Sequence, residues 1–155
     1  MADNHDHSDS YILFELAGTT YAVRSHLVQQ MEMVEQITPV PNAPSFVDGV
    51  VFARGQVVPV VNLRARFGFQ RVANDAKTRL MVVAQEGRTV GLLVDSAREF
   101  ITLSPEAIKP PPEAITGLSG KYLAGIATVG DRIVLIWNVS EVLDFQDLLS
   151  TTIVN

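Results

Sequence analysis

Apolar residues along this chain come in short runs of four to seven positions, each closed by turn residues, and rarely at the three- and four-residue spacing of a long amphipathic helix. Seven runs, at 11–16, 21–24, 57–61, 80–84, 90–94, 122–128 and 133–137, are rich in Val, Ile, Leu and aromatic residues and predict β-strands. Two further strand-like segments fall at 31–37 and 99–103. Hairpins are expected at Ala17-Gly18-Thr19, at Glu86-Gly87-Arg88 and at Gly130-Asp131. In the last, glycine comes first in a two-residue loop, which suits a type II′ turn. Helices should be brief. One or two turns are expected over 62–67. A longer C-terminal helix is expected over 138–149, where Asn138 and Glu141 have capping-box spacing and Val142, Leu143, Phe145, Leu148 and Leu149 share a face.

The blueprint occurs twice. Gly49-Val50-Val51-Phe52-Ala53-Arg54-Gly55 leads into Val57-Val58-Pro59-Val60-Val61-Asn62-Leu63, and Gly125-Ile126-Ala127-Thr128-Val129-Gly130 leads into Ile133-Val134-Leu135-Ile136-Trp137-Asn138-Val139. The glycine precedes the asparagine by 13 positions in both. A proline cluster precedes each block, Pro39, Pro41 and Pro44 in one case and Pro110, Pro111 and Pro112 in the other. Two lobes of some five strands each follow, and closing each into a small barrel removes its open edges. Both would be thin-cored alone, so a shared apolar face is expected. The polar stretch around Asp75-Ala76-Lys77 is the expected boundary, with lobe one at about 11–70 and lobe two at about 78–145 of a single domain spanning 11–149.

Composition narrows the function. The 155 residues carry a net charge of −5, a poor counter-ion for nucleic acid or anionic lipid. There is no cysteine, which excludes a disulfide scaffold, a thiolate metal site and a Cys nucleophile together. No apolar run approaches the ~18 residues of a membrane span. Residues 1–10 contain no Lys or Arg, so they lack the cationic start of a signal peptide. They are expected to be a disordered tail, residues 150–155 a second tail, and the protein cytoplasmic.

Catalytic chemistry is scarce. His5 and His7, among Asp3, Asp6 and Asp9, could chelate a metal loosely, but solvated tail residues are the expectation, as is a polar, non-ligating His26; no metal or cofactor is expected. Leu92-Leu93-Val94-Asp95-Ser96-Ala97 has an aspartic-protease flavour, which in one copy would need a symmetric dimer. Ala97 stands where that motif has glycine, and a strand-end Asp accepting turn amides is the preferred reading. Arg54, at a predicted hairpin tip, is either a solvated charge or a planar fork for a carboxylate or carbonyls on another chain. Val28, Met31, Met33 and Val34 suit a core or an adaptable binding groove, with core the default. A β-rich, two-lobed, acidic chain without catalytic residues reads as a binding module.

The residues also carry a family resemblance. Phe14-Glu15-Leu16 with Tyr21-Ala22-Val23, Val28-Gln29-Gln30-Met31, the stretch from Pro41 to Phe46 before Gly49-Val50, and Val90-Gly91-Leu92-Leu93-Val94-Asp95 match in order. So do Tyr122-Leu123-Ala124-Gly125-Ile126 and, most specifically, Arg54-Gly55 with Val57-Val58-Pro59-Val60-Val61-Asn62-Leu63-Arg64. From about residue 11 to 149 the chain resembles the CheW-like domains of bacterial chemosensory systems. The resemblance implies an all-β fold of two five-stranded SH3-like barrels on a common hydrophobic core, with short helices and a C-terminal helix. It implies a non-enzymatic adaptor coupling methyl-accepting chemoreceptors to a CheA-type histidine kinase, recruited from the cytoplasm to membrane-associated arrays. The kinase's like-folded regulatory domain would meet the first lobe through residues the sequence does not identify. The tip of the receptor's cytoplasmic hairpin would enter a groove between lobes, at Val28, Gln30, Val50 and Arg54, with Ala97 and Phe100 on the second-lobe side.

Several positions depart from the family pattern. Phe52 stands at the Asn of Asn-x-Arg-Gly, Gln30 and Met31 replace the Glu and Ile of Val-x-Glu-Ile, Ser25 and His26 occupy aliphatic positions, and Arg79 stands where a small aliphatic is usual. Such changes alter electrostatic matching more than fold. They point to a paralogous scaffold, for a dedicated receptor or a non-motility pathway, as one alternative. A detached kinase regulatory domain, a coupling protein without its receiver, and a dimeric aspartyl hydrolase at Asp95 are the others.

Overall fold

The computed structural model describes residues 9–53, 55–112 and 120–144. Ten strands run through them: β1 (Asp9–Leu16), β2 (Thr19–Arg24), β3 (Val28–Met33), β4 (Val47–Ala53), β5 (Gln56–Asn62), β6 (Arg79–Gln85), β7 (Arg88–Val94), β8 (Ser96–Leu103), β9 (Leu123–Val129) and β10 (Arg132–Trp137). Two short helices, α1 (Leu63–Arg66) and α2 (Val139–Val142), follow β5 and β10. The predicted strands are all present, with shifted ends. Where the sequence suggests a strand over 31–37, β3 starts and stops earlier, because its partner β6 begins at Arg79, opposite Met33. The segment at 99–103 extends back to Ser96, which still finds Glu15 opposite on β1.

The predicted hairpins form, and turn geometry explains them. Ala17 and Gly18 both have positive φ, as do Glu86 and Gly87, giving the double left-handed turn whose twist matches the flanking strands. Placing Ala17 and Glu86 there costs about 1–2 kcal/mol each. At Gly130-Asp131 only the glycine is positive, as the predicted type II′ turn requires. Both helices are capped: Asn138 accepts the Glu141 N–H, as expected, and the Asn62 side chain, for which no cap was expected, accepts that of Ala65. The expected C-terminal helix over 138–149 is cut short: α2 ends at Val142, with Leu143 as its C-cap and Asp144 outside the helix. Val142 and Leu143 are buried, and Phe145, Leu148 and Leu149 lie outside the described residues.

The strands form two five-stranded sheets, ordered β8-β1-β2-β10-β9 and β3-β6-β7-β5-β4. Adding five to each strand number of the second order, and counting past ten from one again, reproduces the first. The duplication is therefore structural. The sheets do not, however, follow the contiguous division at residues 75–77. Each half of the chain keeps its third strand and second hairpin and gives its first hairpin to the other sheet. The joints are the parallel pairs β2–β10 and β5–β7, through Leu135 beside Tyr21 and Val61 beside Leu92, and the antiparallel pairs β1–β8 and β3–β6. Asp75 instead makes a tight turn before β6, its side chain accepting the N–H groups of Lys77 and Thr78.

The exchange explains the unbroken apolar runs. Tyr11, Leu13, Ala22, Leu103, Ala127, Val134 and Ile136 fill the interior of the first sheet, and Ala53, Val58, Val60, Leu80, Val82 and Leu93 that of the second. The alternate residues, Ile12, Phe14, Leu16 and Val23 from one sheet and Met81, Val83, Val90, Leu92 and Val94 from the other, meet in a common core with Trp137, Val142 and Leu143. Strands covered on both faces lose the apolar–polar alternation of a half-exposed sheet. Each sheet thus curls around its own interior and shares its outer face with its twin, consistent with two SH3-like barrels.

Candidate functional site

Chain crossings between barrels frame a surface depression. The chain passes from the first barrel to the second through a 3-10 turn, Ser25–Leu27, into β3, and returns at the single residue Asp95 into β8. Between these strands lies an open groove of about 620 Å³ lined by Ile12, Ser25, Val28 to Met31, Ala97, Glu99 and Phe100. Val28, Met31 and Ala97 also pack against the common core, so the floor is anchored. Phe100 projects with 73% of its surface exposed. Gln29 and Gln30 add amides, and the Gln30 side chain donates to Glu32. On the β8 wall Arg132 holds Glu99 with both terminal nitrogens, at 2.8 and 3.2 Å.

Four of the six residues predicted for a groove, Val28, Gln30, Ala97 and Phe100, line this one. Val50 does not line it. It lies on β4, at the opposite end of the second sheet's hydrogen-bonding order from β3, exchanging backbone bonds with Thr38. Arg54 lies outside the described residues. Ile12, Ser25, Gln29, Met31 and Glu99 were not in the predicted set. Of these, Met31 had a signal, as a methionine in a segment already suspected of being a groove.

Asp95 carries no acid–base pair. Its Oδ1 accepts from Arg64 Nε at 3.0 Å, and its Oδ2 from Arg64 Nη2 at 2.7 Å and from the Ala17 N–H at 2.8 Å. Partial burial pushes its carboxyl upward, but the Arg64 fork and the Ala17 amide outweigh that and hold it below the ordinary carboxylate range. An aspartic-protease dyad needs a shared proton, and this carboxylate is fixed in its charged form. The preferred reading, an Asp bonded to a turn amide, holds here, with an arginine the sequence did not pair with it.

That environment has a pH consequence. A carboxyl whose pKa is lowered by folding stabilises the folded state above its unfolded value of about 3.9 and loses that contribution as pH falls through the folded value. Asp95→Asn should therefore melt lower than wild type at pH 7, with the gap shrinking once the pH drops below about 4. Melting curves over pH 2–7 test this; a gap independent of pH would show that the ionised form contributes nothing.

Among the described residues no group of His, Asp and Glu could hold a metal ion, and no helix is long and apolar enough to cross a membrane. His26 is exposed in its turn, and His5 and His7 lie outside the described residues. Comparison with known proteins decides the family. Residues 10–147 match the model of the CheW-like domain. The chain belongs to the CheW-like domain family. It is 30% identical over 138 residues to the chemotaxis protein CheW of Klebsiella aerogenes, covering 89% of this chain and 83% of that one. With CheW of Helicobacter pylori it shares 32% over 135 residues, 86% of this chain and 80% of the relative. The crystal structure of the scaffolding protein TtCheW from Thermoanaerobacter tengcongensis superimposes with a TM-score of 0.79 at 28% identity, covering 94% and 91% of the two chains. This CheW-like protein is accordingly a scaffold of the chemotaxis adaptor family and not an enzyme.

Proposed function

We propose that this CheW-like protein couples methyl-accepting chemoreceptors to a CheA-type histidine kinase, with the tip of the receptor's cytoplasmic hairpin seated between β3 and β8. The supporting observation is the groove itself: apolar, open, anchored to the common core and furnished with one projecting aromatic. An amphipathic helical partner buries its apolar stripe in such a groove, and an exposed aromatic is the usual anchor. The kinase's regulatory domain binds elsewhere on the barrels. Two interfaces on one rigid body hold receptor and kinase at high effective concentration, and receptor conformation reaches the kinase through the geometry between them. The protein thereby joins receptor arrays at the membrane without inserting into it.

Reconstitution with the cognate receptor and kinase is the test. Removing an interface anchor costs about 2 kcal/mol, so Phe100→Ala should weaken receptor binding roughly thirtyfold with melting unchanged. Arg54→Ala should weaken receptor-dependent kinase control without unfolding the domain. Wild-type coupling by both variants would defeat the assignment.

One departure favours a paralogous role. Phe52, at the family's Asn position, is 74% exposed and stands opposite Val57, itself 63% exposed. An apolar pair where relatives carry an amide changes which partner fits the β4–β5 hairpin, as a scaffold dedicated to its own receptor or a non-motility pathway requires. Pull-down against both the main chemotaxis kinase and the kinase of its own gene cluster distinguishes the two; engagement of both counts against dedication.

A further inference from the structure

The two crossings that flank the groove are built differently. At Asp95 the chain is held from three directions. Its N–H donates to the Glu15 carbonyl at 2.9 Å, its carboxylate accepts the Ala17 N–H of the first barrel's hairpin, and the same carboxylate receives the Arg64 fork from α1 of the second barrel. Arg64 is itself anchored, its Nη1 donating to the Gln70 carbonyl at 2.8 Å. The side chains are only 19% and 29% exposed, so solvent screens this pair less than a surface ion pair. Two residues on, Ala97 pairs with Phe14 beside a bulge at position 98 of β8, and Phe100 pairs with Ile12; all but Phe14 line the groove. The other crossing is looser. The turn Ser25–Leu27 has no capping side-chain hydrogen bond and no fully buried residue, whereas the one-residue bulges of β3 and β8 match and do not distinguish the walls.

We propose that Arg64 and Asp95 are positioning residues: a latch that fixes the β8 wall relative to both barrels, leaving the β3 wall as the one that adjusts to an occupant. Neither residue lines the groove. They act through the path of the chain, Asp95 lying two and five residues upstream of Ala97 and Phe100. A fixed wall lowers the ordering cost of binding, so the latch contributes affinity without touching the partner. Its functional meaning rests on the groove being the partner site, but its physical content does not.

The chain lacks cysteine, so paired labels can be placed freely. Nitroxides at Gln29→Cys on β3 and Thr102→Cys on β8, both exposed positions, report the distance across the groove by double electron–electron resonance on the full chain. Asp95→Asn is expected to keep its strand content and a cooperative melt while the distance distribution about doubles in width or shifts. Arg64→Lys, which keeps the charge and loses the fork, should give an intermediate width. An unchanged distribution with a lowered melting temperature would mean that the pair serves stability only, and would overturn the proposal. Should Asp95→Asn lose its cooperative melt, the distribution of Arg64→Lys decides. Because no receptor or kinase is present, a failed coupling assay and a failed latch give separate results.

Discussion

Trp137→Ala is expected to lower the stability of the folded protein by about 3–5 kcal/mol and to bring both barrels down together. Trp137 is the last residue of β10 and is 5% exposed. Its ring meets Phe14 edge-on at 4.7 Å, Tyr21 at 5.7 Å and Phe67 at 5.9 Å. Phe14 and Tyr21 belong to the first barrel, whereas Phe67 ends α1, which follows β5 of the second. Removing the indole opens a cavity at the plane where the two barrels meet. The loss is a large share of the roughly 5–15 kcal/mol that keeps an ordinary domain folded. Hairpin exchange makes the consequence global, because neither barrel holds five strands without the other half of the chain. Urea denaturation followed by far-UV circular dichroism, with hydrogen exchange at amides of β1 and β6, should show one transition at lower denaturant. Two separated transitions would mean that the barrels fold independently and that the common core does not couple them.

How far this architecture could be read in advance depended on burial. Strands such as 80–84 and 90–94 stood out because both of their faces are covered, one by a barrel interior and one by the common core. The turn dipeptides and the Asn138 cap were legible for local reasons: left-handed φ and orphan amides call for particular residues close in sequence. Hairpin exchange was not legible. A repeated blueprint reads the same whether β1 and β2 join β10 or β5, and only the long-range pairings of β2 with β10 and of β1 with β8 separate the two outcomes.

The site was readable in the same uneven way. Val28, Gln30, Ala97 and Phe100 were named through family resemblance, and the fold brings them to one groove. Ile12 looked like core, since it sits between Tyr11 and Leu13 in an unbroken apolar run. It turns to the opposite side from both neighbours, where the common core gives way to the groove. Asp95 was singled out for its strand-end position, but Arg64, 31 positions away, could be paired with it only by the fold.

Gly49→Ala is expected to destabilise by about 2–4 kcal/mol, well beyond Gly125→Ala at the equivalent position of the second half. Gly49 has φ of +145°, and a Cβ there would stand 2.1 Å from the Thr38 carbonyl oxygen and 2.7 Å from its carbonyl carbon. Both are backbone atoms, so the clash cannot be relieved by a rotamer. The chain would have to give up the reciprocal bonds between Thr38 and Val50, at 2.9 and 2.8 Å, that cover the outer edge of β4. At Gly125 the nearest atom is Ile108 Cγ2 at 2.4 Å, the far end of a side chain, although the Lys109 carbonyl oxygen at 2.9 Å still crowds the site. Ile108 can swing aside, and the matching Lys109–Ile126 bonds, both 2.8 Å, are expected to survive. The difference reaches the groove, because Thr38 lies five residues beyond the end of β3 and its bonds tether the chain that leaves that wall. Hydrogen exchange should therefore quicken at the Thr38 and Val50 amides in Gly49→Ala, and less at those of Lys109 and Ile126 in Gly125→Ala. Equal losses of stability from the two alanines would show that both contacts yield alike and that left-handed strain at Gly49 adds nothing.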